Sequence, residues 1–246
     1  MSLQIIPVKI PSDVEPGDDL VEILLKTKAG RELKKGDILV FTQKIISKQE
    51  GQKVNLGKVR PTLLAIGIAS AYKKDPRVVQ LILDETKRIV RMKNGIIISQ
   101  TRHGLVCANA GIDESNMEKG FATLLPKDSD NSAQRLRKRI KTKTGKNVAI
   151  IISDTFGRPF REGQTDVAIG VSGISSIVDY GGKQDNFKRI LRVTAIAIAD
   201  EICSATELVR GKTLYTPIAI VRNYTFDKKN GTLQDLLRVK SLDLFR

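Results

Sequence analysis

Two short polar runs hold the residues best suited to chemistry, and each follows an apolar run that should pack as a strand. The first is Asn109-Ala110-Gly111-Ile112-Asp113-Glu114-Ser115-Asn116; the second is Ser153-Asp154-Thr155-Phe156-Gly157-Arg158. Each places an aspartate just beyond a segment that would hold it rigidly. Brought together, Asp113 and Asp154 would form a hard oxygen site for Mg2+ or Mn2+, with a Thr hydroxyl, phosphate oxygens and water completing the shell. The competing reading is a pair of Asx-type turns whose Asp and Asn side chains bond only local backbone. Nothing in the sequence alone joins the two runs.

The second run continues through Arg158-Pro159-Phe160-Arg161-Glu162-Gly163-Gln164-Thr165-Asp166. Arg158 and Arg161 could clamp phosphate in a fork geometry that Lys lacks, or could simply be surface charge. Lys48, shortly after an apolar strand, could meet phosphate or lie along the surface. Asp200-Glu201 suit a helix start, where negative charge is favoured. The single histidine, His103, follows Arg102 in a polar turn, and no nucleophile elbow accompanies it. Neither GxxxxGK[ST] nor a GxGxxG run after a strand is present, so phosphate would be held some other way.

The elements that would position these residues are short and mixed. Leu3 to Val8 reads as a strand, and Asp18 or Asp19 can cap a helix carrying Leu20, Ile23, Leu24 and Leu25. Asp37 to Phe41 reads as a buried strand. Pro61 opens an Ala/Leu/Ile-rich helix, and Asp75-Pro76 starts another that runs through Leu83. Lys87 to Met92 and Ile96 to Gln100 flank Asn94-Gly95, a pair suited to a tight hairpin turn. Leu105 to Asn109 reads as a strand, Ser132 starts a basic helix, and Val148 to Ile152 is a buried strand. Arg189 to Ala195 reads as a strand leading to a helix at Asp200 to Val209, followed by strand Pro217 to Val221 and a closing helix near Leu233 to Leu237. Hairpins mixed with helices predict an α+β protein rather than a doubly wound sheet.

With 246 residues, 41% of them hydrophobic, the chain can bury one large core or two modest ones. It has no stretch near the roughly 20 apolar residues a membrane span needs, and its first residues lack a leader pattern, so a cytoplasmic protein without membrane partners is expected. Cys107 and Cys203 read as buried apolar residues. The balance of 42 Lys+Arg against 27 Asp+Glu, a net +15, raises the local concentration of polyanions of any kind. Its densest run, Gln134 to Lys146, reads as a solvated helix face or as a nucleic-acid contact. Against the latter stands an aromatic content of 4% with no Trp, because base stacking needs aromatic platforms.

The runs HGLVCANAGIDESN (His103 to Asn116) and SDTFGRPFREGQTDVAIGVSG (Ser153 to Gly173) closely resemble the coenzyme F-420:L-glutamate ligase family. GDDL at Gly17, ISKQEG at Ile46, VTAIAIADEI ending at Ile202 and IAIVR at Ile218 match in family order over nearly the whole chain. The resemblance implies an α+β fold of two intertwined lobes in one unit over residues 1–246, with no Rossmann or P-loop core and no nitroreductase-like extension, assembled as a homodimer. It implies that the γ-phosphate of GTP activates a carboxylate of the glutamate-free F-420 precursor, and that L-glutamate displaces phosphate to form the amide. Two divalent ions and K+ are implied as helpers, with nucleic acid not a partner. By the same analogy Asp113, Asp154 and Arg158 would be catalytic. Asp113 and Asp154 would hold the first ion, and Thr155 would help hold the second. Nucleotide contacts would come from Pro11, Ser12, Asp13, Val14, Gln43, Lys44, Lys48 and Asn116, and from Arg210, Gly211, Lys212, Thr213, Leu214, Tyr215, Thr216 and Pro217.

The chain departs from the family pattern at Lys212, where a Gln or Glu ligand to the second ion is expected. An ammonium cannot ligate a cation, so either that ion is held differently or the Lys amine replaces part of its charge. Tyr215-Thr216 also stands where a Gly is usual before Pro217, and Asn223 replaces the Gly that usually follows VR. The same chemistry on another carboxylate acceptor, and a basic nucleic-acid-binding protein, are the competing functions.

Overall fold

A computed structural model describes residues 2–115 and 117–243. β1 (Gln4–Val8) is followed by α1 (Leu20–Lys26), which Asp19 caps by accepting from the Val21 and Glu22 N–H groups. Thr27 closes α1 and caps the single turn of α2 (Lys28–Arg31). β2 (Ile38–Thr42) is the expected apolar strand, and it runs straight into α3 (Gln43–Gln49), a helix that its sequence does not announce.

The next stretch holds β3 (Lys53–Asn55), α4 (Leu63–Tyr72) and α5 (Pro76–Glu85). α4 is capped by Thr62 rather than opened by Pro61, while Asp75 and Pro76 start α5 as expected. β4 (Thr86–Lys93) and β5 (Ile96–Thr101) form the expected hairpin, with Asn94 at φ 51° and Gly95 at φ 75° in its turn. β6 (Val106–Ala108) and β7 (Phe121–Thr123) complete this part.

α6 (Ser129–Thr144) starts three residues before Ser132, because Asp128 supplies the cap. Its basic residues have a structural use. Arg135, Arg139 and Lys143, four apart and so on one side of the helix, pair with Glu50, Asp19 and Glu22 at the ends of α3 and α1.

β8 (Ala149–Arg158) and β9 (Arg161–Ser172) form a long hairpin, so the second polar run is not a loop but the far half of a strand. Its polar side chains hide the strand from an apolar-pattern reading; the β9 ladder supplies the backbone partners that define it. β10 (Val178–Asp179) and β11 (Ala195–Ile196) pair briefly, and the strand expected over Arg189 to Ala195 is otherwise reduced to a Gln184–Ile190 bridge. Ile190 and Val193 face solvent there, so no burial stabilises an extended run. α7 (Ile198–Arg210) begins two residues earlier than expected, and β12 (Ile218–Arg222) and α8 (Leu233–Leu236) close the chain.

Among the described residues the largest sheet has five strands, ordered β1-β12-β2-β8-β9, with β2 and β8 parallel and the other neighbours antiparallel. Alternate side chains feed two cores. Leu39, Phe41, Ile150, Ile152 and Ile220 pack towards α1 and α6, and Ile38, Val40, Ala149, Ile151 and Val221 towards α7. A third cluster, including Leu56, Val79, Ile82 and Ile97, gathers α4 and α5 onto β5. Each such buried aliphatic side chain contributes about 1.5–3 kcal/mol relative to exposure. The fold is α+β with one mixed sheet, antiparallel satellite sheets and packed helices, as the sequence predicts.

Candidate active site

The parallel pairing of β2 with β8 sets the site. Thr42 lies opposite Ser153, so Gln43 and Lys44 leave one strand beside Asp154 and Thr155 on the other. Carboxyl ends of parallel strands are where open α/β sheets collect ligands.

Asp113 reaches this point from β6 through a strained turn. Asn109, Ala110 and Gly111 all have positive φ (52°, 52° and 72°), a backbone that a buried Ala adopts only when its surroundings fix it. Leu125 packs where a Gly111 Cβ would lie, and Asp113 and Thr123 exchange backbone hydrogen bonds at 3.1 and 2.9 Å.

Lys44 Nζ sits 2.7 Å from Asp113 Oδ2 and donates to the Ser115 carbonyl and hydroxyl at 2.6 and 2.8 Å. Burial pushes the Asp113 carboxyl up, but the Lys44 ammonium and the Ser115 N–H outweigh it and hold the group below its ordinary range. Asp154 goes the other way. Desolvation, reinforced by the negative charges of Asp113 and Asp166, pushes it up to about 7, although Thr155 N–H donates to it at 2.8 Å. Two neighbouring carboxylates with Lys44 as their one nearby ammonium among the described residues are a site short of positive charge. Mg2+ commonly takes one or two carboxylates and fills its shell with water and substrate phosphate, so this pair fits such an ion. Among the described residues no three His, Cys, Asp or Glu side chains form a protein-only cage.

On the other side of Thr155 lies a carboxylate that sequence reasoning did not single out. Asp166 faces Thr155 across the hairpin and accepts its hydroxyl proton at 2.6 Å. Asp166 is 3% exposed and pairs with Arg210, which is 1% exposed and also donates to Ser153 Oγ at 3.0 Å. Lys212 Nζ donates to Thr155 Oγ1 at 2.7 Å and lies 3.5 Å from Asp166 Oδ1 and 3.1 Å from Glu207 Oε1. The Pro159 to Gly163 turn was the signal for this register, since it folds Asp166 back onto Thr155.

The remaining expected residues fall around the same edge. Lys48 lies in α3, not on a strand exit, and grips both oxygens of Asp13 at 2.7 Å. Burial raises the Asp13 carboxyl but the Lys48 ammonium lowers it further. Ile10 N–H donates to the Tyr215 carbonyl at 3.4 Å, which sets exposed Pro11 and Ser12 and buried Val14 near Tyr215. Thr42 N–H donates to Pro217 O at 2.9 Å, and Thr216 Oγ1 to Arg210 O at 2.5 Å. Gly211, Thr213 and Leu214 are exposed after α7. Gln43 is buried and donates to Ser47 Oγ and Leu124 O at 2.6 and 3.1 Å. Tyr215 (φ 53°) and Asn223 (φ 64°) hold the left-handed backbone that favours the Gly expected there. Arg158 sits at the hairpin tip, exposed, donating to Glu162 O at 2.6 Å, four residues along the strand from Asp154. Asn116 lies outside the described residues.

Comparison with known proteins adds an independent line. Residues 7–223 match the model of a family described as F420-0:Gamma-glutamyl ligase. The chain is 42% identical over 251 residues to the "Coenzyme F420:L-glutamate ligase" of Methanothermobacter thermautotrophicus, covering 100% of both chains. It is 47% identical over 212 residues to the protein of that name from Methanocaldococcus jannaschii, covering 86% of this chain and 85% of the relative. The Methanopyrus kandleri protein is 41% identical over 250 residues, 100% of this chain and 98% of its own. Matched by the family model over residues 7–223 and by relatives across nearly its full length, the chain belongs to the F420-0:gamma-glutamyl ligase family.

Proposed function

We propose that this protein is a GTP-dependent ligase that joins L-glutamate to the glutamate-free F-420 precursor. The observation carrying the reading is the pair Asp113 and Asp154, short of positive charge, where the parallel β2–β8 pairing ends, with Lys44 ion-paired to Asp113. The names of its relatives support the substrate class.

In this reading Asp113 and Asp154 would hold a Mg2+ or Mn2+ ion, whose contribution would be charge neutralisation for phosphoryl transfer. The γ-phosphate passes to the precursor carboxylate as GDP leaves, and the glutamate amine then displaces phosphate to close the amide. Splitting one condensation into two steps lowers each barrier. Lys44 holds Asp113 ionised and in place, and Lys48 fixes the Asp13 segment where the nucleotide would lie.

The test is mass spectrometry of the precursor after incubation with protein, glutamate, GTP, Mn2+ and K+, with each component omitted in turn. Gain of one or more glutamyl units that requires GTP and is lost in Asp154→Ala is expected. No gain from a folded protein that binds GTP would overturn the precursor as acceptor.

A further inference from the structure

At the Thr155 hydroxyl two carboxylates and two cations already pair off. Asp166 and Glu207 supply two negative charges, Arg210 and Lys212 two positive ones, and the contacts interlock: Arg210 on Asp166, Lys212 on Asp166 and Glu207, Thr155 on Asp166. The Thr155 hydroxyl is committed as well. Its one proton goes to Asp166, and one of its lone pairs accepts from the Lys212 ammonium at 2.7 Å. A divalent ion bound to the remaining lone pair at about 2.1 Å would lie roughly 4 Å from that ammonium, and the two carboxylates in contact with Lys212, Asp166 and Glu207, are already matched by Arg210 and Lys212. The contrast with the other pair is direct: Asp113 and Asp154 have Lys44 as their one nearby ammonium among the described residues.

We propose that this enzyme takes a single divalent ion, between Asp113 and Asp154, and that the Lys212 ammonium permanently occupies the second cation position at Thr155. This rests on the reading of the site as a nucleotide and metal centre. Lys212 is well placed for the role. Its side chain is 60% exposed, so the ammonium borders both solvent and the Thr155 hydroxyl, and it is anchored by Glu207 one turn back on α7. A tethered charge needs no recruitment from solution, so the second half of the site would be formed at any metal concentration.

The experiment counts ions rather than turnover. Mn2+ is titrated into the full-length protein saturated with a non-hydrolysable GTP analogue, and free Mn2+ is read from its electron paramagnetic resonance signal. One ion per chain is expected for the wild type, two for Lys212→Gln, and one again when Thr155→Val is added to Lys212→Gln. Two ions on the wild type would overturn the proposal while leaving the ligase reading intact; so would one ion on both wild type and Lys212→Gln. A first ion whose affinity is unmoved by Asp154→Asn would instead overturn the metal reading itself, and this proposal with it. The wild-type count decides even if a variant fails to fold, and circular dichroism checks each variant.

Discussion

Asp154 is the residue whose protonation most clearly separates the folded chain from the unfolded one. Its carboxyl titrates at about 7 in the metal-free fold against an ordinary 3.8. The folded state therefore holds that proton more tightly. The stability this contributes is complete below about pH 4, declines as pH rises, and is gone above about 7. Thermal unfolding of metal-free wild type and Asp154→Asn across pH 4 to 8 is expected to show the difference between them shifting against the wild type over this interval. Parallel curves would refute it. Mn2+ at pH 8 should raise the melting temperature of the wild type and leave that of Asp154→Asn nearly unchanged, since only an ionised carboxylate competes for the ion.

Among the elements, β2 and β12 are locked by a buried ion pair. Arg222 reaches Asp37 at 2.9 and 2.7 Å and the Glu32 carbonyl at 2.9 Å, with both charged side chains nearly out of solvent. Arg222→Met leaves Asp37 buried and unpaired, and a loss of about 3–5 kcal/mol is expected in urea unfolding. A second element-level test concerns α6 on β9. A Cβ at Gly170 would stand 2.5 Å from the Ser129 carbonyl oxygen, so Gly170→Ala should push the start of α6 off the sheet and cost about 1–3 kcal/mol. Apolar runs and turn residues made most of this level legible: β2, β12, the Asn94-Gly95 hairpin and the Asp19 and Asp75 caps follow from local chemistry. β9 and α3 did not, because β9 is defined by its ladder with a polar half of β8, and Thr42 starts α3 without a side-chain cap. The site divides along the same line. Asp113, Asp154 and Lys48 stand out by type and neighbours, whereas the Lys44–Asp113 pair and the Asp166–Arg210 pair join residues tens of positions apart and become visible only in three dimensions.

For the molecule as a whole, the net charge of +15 makes a kinetic statement. Part of the basic surface is consumed in docking α6, but the remaining excess should draw in polyanions such as GTP. Screening shortens the reach of that field to about 10 Å at 0.1 M salt. Under the proposed function, raising salt from about 0.05 to 0.5 M is therefore expected to lower kcat/KM for GTP roughly several-fold while kcat changes little. A salt-independent kcat/KM would remove the field from the account.

The position of β12 has a consequence for how the chain is made. It lies between β1 and β2, two strands from the beginning of the sequence, and Arg222 meets Asp37 across 185 positions. A nascent chain leaves the ribosome with β1 and β2 already synthesised, yet the strand that joins them emerges almost last. Until then both present unsatisfied backbone edges, and the parallel β2–β8 pair can form only on an open side. Completion of the central sheet is thus a late, long-range event in biogenesis, and chains stalled before β12 should be the ones that chaperones capture and proteases clear.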